Sequence, residues 1–237
     1  MITSRSNGQV KKIKELIRSP KARAQEGLFV VEGSRIVSEV PAELLAGVYA
    51  SESYEAPEGA EIISDDVFKS ISDTVNPQGI LALVRQPERS FEDMKKLSLY
   101  VLLDDVRDPG NLGTIIRTAE AAGAGVIMSP ECADIFNPKV TRSTMGSIFR
   151  VPWAVMPLEE AIKSLRKEGV LVAAAALDGA VDYKEITAPR RAYIIGNEAR
   201  GVSPEIQALS DARVKIPMKG QVESLNAAIS AAILMYS

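Results

Sequence analysis

The chain has 237 residues, of which 46% are hydrophobic and 25% charged, values typical of a globular protein with one large or two smaller domains. It contains no histidine and one cysteine, Cys132, which excludes Ser-His-Asp, Cys-His and His-ligated zinc chemistry, a thiolate metal cluster and an internal disulfide. The single cysteine fits a reducing cytoplasm, no apolar run approaches the roughly 20 residues that span a bilayer, and the amino terminus lacks a signal peptide's apolar core.

Charge is distributed unevenly along the chain. The net charge is −3, yet residues 1 to 24 carry seven basic side chains against Glu15 alone, a local balance of +6 that leaves −9 for the remainder. A basic amino-terminal arm on an acidic body fits a protein that binds phosphates. A solvated helix face would have the same composition, and the charge pattern leaves both interpretations open.

The first 85 residues predict a small α/β unit. Helical spacing of apolar residues and short apolar runs separate its elements, and Ser64 is the predicted cap of one helix. The predicted helices are 7–17, 34–40 and 64–71, and the predicted strands are 28–32, 48–50, 62–63 and 79–84. The polar segment 86–98 that follows predicts a linker between two domains.

From residue 99 the pattern changes to alternating strands and helices. The predicted strands are 100–104, 126–128, 170–176, 192–195 and 212–216, and the predicted helices are 112–122 and 158–167. These strands are almost continuously apolar, which is typical of a parallel sheet covered on both faces. We therefore predict an α/β domain built on such a sheet.

Three polar loops follow strands of this predicted sheet. They run from Asp108 to Arg117 (DPGNLGTIIR), from Ile195 to Gly201 (IGNEARG) and from Ile216 to Asn226 (IPMKGQVESLN). An apolar run, 227–235, follows the third loop, and Ser224 is the predicted cap of that helix. Because open α/β sheets bind ligands at the carboxyl ends of their strands, the loops predict one shared site.

The three loops resemble the three motifs of the SpoU (TrmH-type) RNA ribose 2′-O-methyltransferases of the SPOUT superfamily. The matching residues are Asn111, Gly113 and Arg117 in the first motif, Gly196, Asn197, Glu198 and Gly201 in the second, and Ile216, Pro217, Met218, Ser224, Leu225 and Asn226 in the third. They occur in the family's order and at its spacing, which makes the combination specific.

The resemblance implies a fold that periodicity alone does not predict. It implies an α/β, parallel-sheet SPOUT catalytic domain at 99–237 with a carboxyl-terminal trefoil knot, preceded by the linker 86–98. Residues 1–85 resemble the small α/β, ribosomal-protein-like substrate-binding domain that precedes many such catalytic domains. The family further implies a homodimer through the catalytic domain, to which the apolar helix 227–235 would contribute surface.

The implied activity is S-adenosylmethionine-dependent methylation of a ribose 2′-hydroxyl in structured RNA, most of all ribosomal RNA. A transfer-RNA ribose methyltransferase, an antibiotic-resistance ribosomal-RNA methyltransferase and a non-catalytic RNA-binding module remain as alternatives. A Rossmann-type nucleotide enzyme is disfavoured, because Gly110-Asn-Leu-Gly113 is not the Gly-x-Gly-x-x-Gly fingerprint. Neither a metal nor a membrane is an expected partner.

By resemblance, Arg117 acts on the acceptor hydroxyl. Arginine is normally protonated, so Arg117 either accepts the proton in an unusual environment or binds the neighbouring phosphate while a phosphate oxygen takes the proton. A surface pair with Glu120 is the structural alternative.

The resemblance also assigns Asn111, Glu198, Ser224 and Asn226 to the catalytic site. Ordinary turn chemistry is the alternative for Asn111, and helix capping is the alternative for Glu198 and Ser224. Glu198 is also a candidate partner for Arg117. Asn226 is predicted to lie inside the last helix, where asparagine is only a fair helix former.

Cofactor and RNA contacts complete the assignment. The backbone at Ala176, Gly196, Ile216, Met218 and Leu225 is implied to hold the cofactor's adenine between apolar walls. For the three large apolar residues of this set, an ordinary core position is the alternative that the pattern favours. The basic residues assigned to RNA are Lys11, Lys12, Lys21, Arg23, Arg35, Arg142 and Arg150.

Overall fold

The computed structural model describes residues 1–237. The α-helices are α1 (Gly8–Arg18), α2 (Pro20–Glu26), α3 (Ser34–Ser38), α4 (Asp65–Ile71), α5 (Pro109–Ala122), α6 (Pro138–Thr144), α7 (Leu158–Lys167), α8 (Pro204–Leu209) and α9 (Ala227–Met235). The strands are β1 (Leu28–Glu32), β2 (Leu45–Ser51), β3 (Glu61–Ile63), β4 (Ile80–Arg85), β5 (Leu99–Leu103), β6 (Gly125–Met128), β7 (Trp153–Val155), β8 (Leu171–Ala175), β9 (Val181–Asp182), β10 (Arg191–Ile195) and β11 (Ala212–Lys215). None of the helices is long and apolar enough to cross a membrane.

The chain forms two compact units, and each of them is assembled from two separated stretches of sequence. The first unit comprises Met1–Glu88 and Asp134–Phe149, and the second comprises Arg89–Ala133 and Arg150–Ser237. The segment 134–149 therefore belongs to the first unit, although it lies between two strands of the second unit's sheet in sequence. The hydrophobic periodicity of the sequence does not predict that this segment packs in the first unit.

The first unit is built on a four-stranded mixed sheet in the order β1-β4-β2-β3. Strand β4 runs antiparallel to both of its neighbours, whereas β2 and β3 are parallel. The apolar face of α1 supplies Val10, Ile13 and Leu16 to a core that includes Phe68 of α4 and Leu81 of β4. The spacing of the three α1 residues is the helical period from which this helix was predicted.

The segment 134–149 joins the first unit through aromatic and ionic contacts. The ring of Phe136 lies 4.8 Å from that of Phe29 on β1, and the ring of Phe149 lies 6.3 Å from the same Phe29. The guanidinium of Arg23 donates from Nε to Oδ2 of Asp134 at 2.8 Å. These contacts tie both ends of the segment to the amino-terminal sequence.

The second unit contains a seven-stranded sheet in the order β7-β6-β5-β10-β8-β11-β9. Every strand pair in it is parallel, which confirms the predicted parallel sheet. Tyr100 and Leu102 of β5 pack into one core with Ile162 of α7 and Ile206 of α8. Val101 and Leu103, which point to the opposite face, are also fully buried, so the sheet is covered on both sides.

Three local features of the structure differ from the predictions. Helix α2 was not predicted; it begins with Ser19 as its cap and Pro20 in its first turn. The side chain of Ser64 makes no capping bond to α4. Within the predicted linker, 91–94 forms a short 3-10 helix whose Met94 is fully buried in the second unit's core.

Candidate active site

Four neighbouring strands end at the same edge of the second unit's sheet. Strands β5, β10, β8 and β11 are adjacent and parallel, so the residues that follow them converge. The loops that lie at this edge are 104–108 after β5, 176–180 after β8, 196–203 after β10 and 216–226 after β11. The second and third motif loops are among them, and the first motif begins at Asp108, the last residue of the loop 104–108.

Helix α5 begins earlier than predicted, which moves Asn111 from a turn into the helix. Asp108 is the N-cap, and its Oδ1 accepts from the backbone N–H of Asn111 at 2.7 Å. Pro109 occupies the first helical turn, where its missing N–H costs nothing. The predicted turn chemistry of Asp-Pro-Gly-Asn is therefore helix-start chemistry, and it fixes Asn111 in the first turn.

Asn111, Glu198 and Asn226 form one hydrogen-bonded set that joins the three loops. Asn111 donates from Nδ2 to Oε1 of Glu198 at 3.0 Å, and Asn226 donates from Nδ2 to Oδ1 of Asn111 at 2.8 Å. The amide of Asn111 thus links a carboxylate on the second loop to an amide on the third. Resemblance had assigned these three residues to one site, and the fold brings them into direct contact.

Glu198 is held by the backbone of the first loop as well. Its carboxylate accepts from the N–H groups of Arg107, at 3.3 Å, and Asp108, at 3.1 Å. Partial burial by itself would raise the pKa of Glu198, but the hydrogen bonds from Asn111 and from the backbone outweigh it and hold that pKa below its usual range. The alternative of a cap for the helix after Ser203 is wrong, because the carboxylate bonds to the start of α5.

Helix α9 is capped by Asn226 and not by Ser224. Oδ1 of Asn226 accepts from the N–H of Ala228 at 2.9 Å and from that of Ile229 at 3.3 Å. Asparagine is as good an N-cap as serine, so the helix starts at the first residue of the apolar run. Both predictions for this region, that Ser224 caps the helix and that Asn226 lies inside it, are wrong; Ser224 is exposed in the loop before it.

Arg117 lies on α5 and is exposed. The bonds of Glu198 come from Asn111 and from the backbone, so the proposed hydrogen bond between Glu198 and Arg117 is not formed. Glu120 pairs with Arg150. Arg117 therefore lies on the same helix as Asn111 but outside the hydrogen-bonded set of Asn111, Glu198 and Asn226.

The second loop is compact, and it brings together two functional candidates: Asn197, to which the sequence analysis assigned no role, and Asp105, which it missed. A Cβ on Gly196 would lie 2.0 Å from the carbonyl carbon of Gly201, so only glycine fits there. Asn197 donates from Nδ2 to the backbone oxygen of Asp105 at 2.9 Å. Asn197 is part of the second motif, but nothing in the sequence indicates Asp105 as its partner.

The residues assigned to the cofactor surround the same sheet edge. Gly196 follows β10 and is buried, whereas Ala176, Ile216, Met218 and Leu225 are half-buried and lie after β8 or β11. Half-buried apolar side chains beside a close backbone approach suit an adenine between apolar walls. The N–H of Ala176 already donates to the carbonyl of Val214 at 2.9 Å, so the backbone hydrogen bonds that this residue can offer the cofactor are restricted to its carbonyl.

The residues assigned to RNA differ in their availability. Arg23 is a correction: only 2% of its side chain is exposed, and it donates to Asp134 and to two backbone carbonyls, so it stabilises the first unit and does not reach a phosphate. Lys11, Lys21 and Arg35 are exposed. The remaining three are paired with carboxylates, Lys12 with Glu26, Arg142 with Asp73 and Arg150 with Glu120.

No group of three or more His, Cys, Asp or Glu residues in the chain is arranged to hold a metal ion. The site consists of amides, one carboxylate, an exposed guanidinium and half-buried apolar residues at the strand ends. Such a constellation is typical of α/β proteins that bind a ligand where parallel strands end.

Comparison with known proteins gives the family. Residues 98–236 match the model of the SpoU rRNA Methylase family, and residues 7–82 match the MRM3-like substrate binding domain. The chain is 36% identical to the 23S rRNA (guanosine(2553)-2′-O)-methyltransferase RlmP of Bacillus subtilis (strain 168), over 99% of this chain and 97% of that protein. The chain belongs to the SpoU rRNA methylase family.

Solved structures agree with this placement. An AdoMet-bound rRNA methyltransferase from Sinorhizobium meliloti superposes with a TM-score of 0.87 at 34% identity, covering 99% of this chain and 95% of that one. The SpoU methyltransferase AviRb from Streptomyces viridochromogenes, in complex with AdoMet, superposes with a TM-score of 0.85 at 27% identity, covering 97% and 96%.

Proposed function

We propose that this protein transfers the methyl group of S-adenosylmethionine to a ribose 2′-hydroxyl of ribosomal RNA. The observation that supports it most directly is the hydrogen-bonded set of Asn111, Glu198 and Asn226, which unites the three family motifs at the strand ends. Similarity to a 23S rRNA methyltransferase over 99% of the chain favours ribosomal over transfer RNA.

The cofactor, when bound, supplies a methyl group already activated on a sulfonium, so the protein has to align the acceptor and manage its proton. The backbone at Gly196 and the apolar residues Ile216, Met218 and Leu225 would hold the adenine. Glu198 keeps Asn111 and the start of α5 fixed. The exposed guanidinium of Arg117 is free to meet a phosphate or the ribose, and both roles proposed from the resemblance stay open.

The substrate-binding role belongs to the first unit. Its exposed basic residues Lys11, Lys21 and Arg35 are available for phosphates, whereas Arg23 is not. Since Arg142 lies on α6, the first unit also includes a basic residue from the segment 134–149. We propose that 1–85 and 99–237 are the two domains, joined by 86–98, although the segment 134–149 of the latter packs in the first unit.

We also propose a homodimer through the second unit and a trefoil knot at its carboxyl terminus. Helix α9 is apolar except for Ser230, yet Ile229 is 51% exposed, and Tyr236, which follows the helix, is 65% exposed. Covering such side chains with a second copy would remove apolar surface from water. Sedimentation at micromolar concentration tests the dimer: a fully active monomer would overturn it. We place the protein in the cytoplasm, with its RNA substrate.

Methyl transfer from tritiated S-adenosylmethionine to purified ribosomal RNA and to transfer RNA tests the proposed function. Transfer to ribosomal RNA, mapped to one ribose, is the expected result. Transfer only to transfer RNA would leave the chemistry standing but overturn the substrate. Binding of RNA without any transfer would indicate the non-catalytic RNA-binding module.

A further inference from the structure

A cleft of about 480 Å³ opens beside the candidate active site, and Asp105 lies in its wall. The charged residues around it are Asp104, Asp105, Glu131, Glu205, Arg107 and Arg200. Four carboxylates against two guanidiniums give the lining a net negative charge, which disfavours a phosphate site. Arg107 and Arg200 instead both form ion pairs with Asp105.

Asp105 receives hydrogen bonds from its own loop, 104–108, and from the second motif loop. Nε of Arg107 donates to Oδ1 at 2.6 Å, and Nη2 of Arg200 donates to Oδ2. Nδ2 of Asn197 donates to the backbone oxygen of Asp105 at 2.9 Å and, more weakly, to Oδ2 at 3.3 Å. Arg107 belongs to the loop 104–108, as Asp105 does, and Asn197 and Arg200 belong to the second motif loop.

The backbone of Asp105 is unusual as well. Its φ is +59°, a left-handed conformation that residues other than glycine rarely adopt. Its N–H donates to Oγ of Ser129 at 3.1 Å, so the conformation is held from both sides of the peptide. A strained residue that the surrounding bonds over-determine is a candidate for a functional role.

We propose that Asp105 is a positioning residue that sets where the Glu198 carboxylate lies relative to Asn111. The inference rests on the proposed function. Asp105 fixes Arg107, whose N–H binds Glu198, and it fixes Asn197 and Arg200, which flank Glu198 in the second loop. Asp105 makes no contact with Glu198 and acts only through these neighbours.

Asp105→Asn tests this role without changing the backbone, because asparagine also tolerates the left-handed region. The neutral amide of asparagine would bind the guanidiniums of Arg107 and Arg200 less tightly, so the loops that contain these arginines would be held less firmly relative to each other. We expect kcat to fall roughly 10- to 100-fold. The dissociation constant of S-adenosylmethionine, measured by calorimetry, should stay within about twofold, since no residue assigned to the cofactor's adenine contacts Asp105.

The pH profile separates positioning from a purely structural effect. The groups that face Glu198 are the N–H of Arg107, the N–H of Asp108 and the amide of Asn111, with the Arg107 guanidinium adding charge. Removing the Asp105 charge would by itself lower the pKa of Glu198, whereas looser donors would raise it, so a shift of the acid limb of single-turnover methyl transfer to higher pH in Asp105→Asn identifies lost positioning.

Asp211→Asn is the matched control. Asp211 also holds an arginine, Arg166 at 2.9 Å, and a backbone N–H, that of Val172 at 2.9 Å, but it lies before β11, at the opposite edge of the sheet. The Asp211→Asn substitution should leave kcat and the acid limb of the pH profile unchanged.

An inactive wild-type protein would refute the proposed function. An active wild type with unchanged kcat and acid limb in Asp105→Asn would refute the positioning role alone. If Asp105→Asn neither folded nor bound the cofactor, that role would also be refuted, because Asp105 would then be structural. Thermal unfolding of each variant identifies that case.

Discussion

Arg23 and Asp134 are 111 positions apart in sequence and form an ion pair inside the first unit. Arg23 also donates from Nη1 to the carbonyls of Leu16, at 2.6 Å, and Ile17, at 3.2 Å. The guanidinium thus joins the end of α1 to the segment 134–149. Arg23 comes from the basic arm for which the sequence suggested phosphate binding, but it stabilises the first unit, where its charge is buried against Asp134.

Asp134→Asn should destabilise the first unit strongly. Removing one partner of a buried pair leaves an uncompensated charge, at a cost of about 3–5 kcal/mol. Asp73→Asn is the control, because Asp73 pairs with Arg142, which is more exposed, and should cost under about 1 kcal/mol. Urea unfolding followed by circular dichroism measures both. Equal, small effects would show that the pair between Arg23 and Asp134 contributes little.

Lys11, Lys21 and Arg35, changed together to glutamine, should weaken RNA binding and flatten its salt dependence. Each lost phosphate contact reduces the slope of log affinity against log salt by about 0.7–0.9, so three contacts reduce it by roughly 2–3. The control changes Lys163, Arg166 and Lys167, three exposed residues of α7, and alters net charge equally. If both triple variants behaved alike, the first unit would have no specific role.

These substitutions are preferable to deleting the amino-terminal residues. A chain beginning near Leu97 would keep 134–149 but lose Phe29, whose ring packs with those of Phe136 and Phe149, and Arg23, which pairs with Asp134. Its RNA affinity would then report misfolding as well as lost contacts.

Asn226→Ala and Asn226→Ser should separate the two functions of the last helix's cap. Alanine removes the cap and the amide that donates to Asn111, and it should cost about 1 kcal/mol of stability in addition to activity. Serine keeps a capping oxygen and loses only the amide, so stability should be nearly retained while turnover falls. Ser224→Ala should not change stability, which thermal melting checks directly.

Arg117→Ala should remove most turnover and leave S-adenosylmethionine affinity almost unchanged. The side chain is exposed on α5 and lies outside the set of residues assigned to the cofactor. Calorimetry and a methyl-transfer assay measure the two effects, with Arg166→Ala as a control for an exposed helical arginine. A folded variant that no longer bound the cofactor would contradict the assignment of Arg117 to the acceptor.

Glu198→Gln should make stability less dependent on acid pH. The pKa of Glu198 is lowered in the folded protein, so its contribution is present above the unfolded value of about 4.3 and is lost as the pH falls through the lowered folded value. The difference in Tm between wild type and variant should therefore be largest near neutral pH and shrink in acid. A difference independent of pH would mean that the carboxylate's charge is not what stabilises the loops.

The sequence by itself predicted most of the strands and helices that carry the candidate site, and the resemblance supplied the candidate residues. Continuous apolar strands such as Leu99–Leu103 predict a buried parallel sheet, because only a strand covered on both faces has no polar alternation. The three motif loops predicted one ligand site, because parallel strands end at the same edge. Asn111, Glu198 and Asn226 followed from the resemblance, since their spacing along the chain matches the family's motifs.

Only the tertiary structure decided which polar groups are already in use. Arg23 and Lys21 look alike in sequence, but one is buried against Asp134 and the other is exposed, because the segment 134–149 returns to the first unit. Asp105 carries no signal in sequence, because its partners Arg107, Asn197 and Arg200 converge only when β5 and β10 pair side by side. Local periodicity records burial within an element, whereas partner choice depends on contacts between residues far apart in the chain.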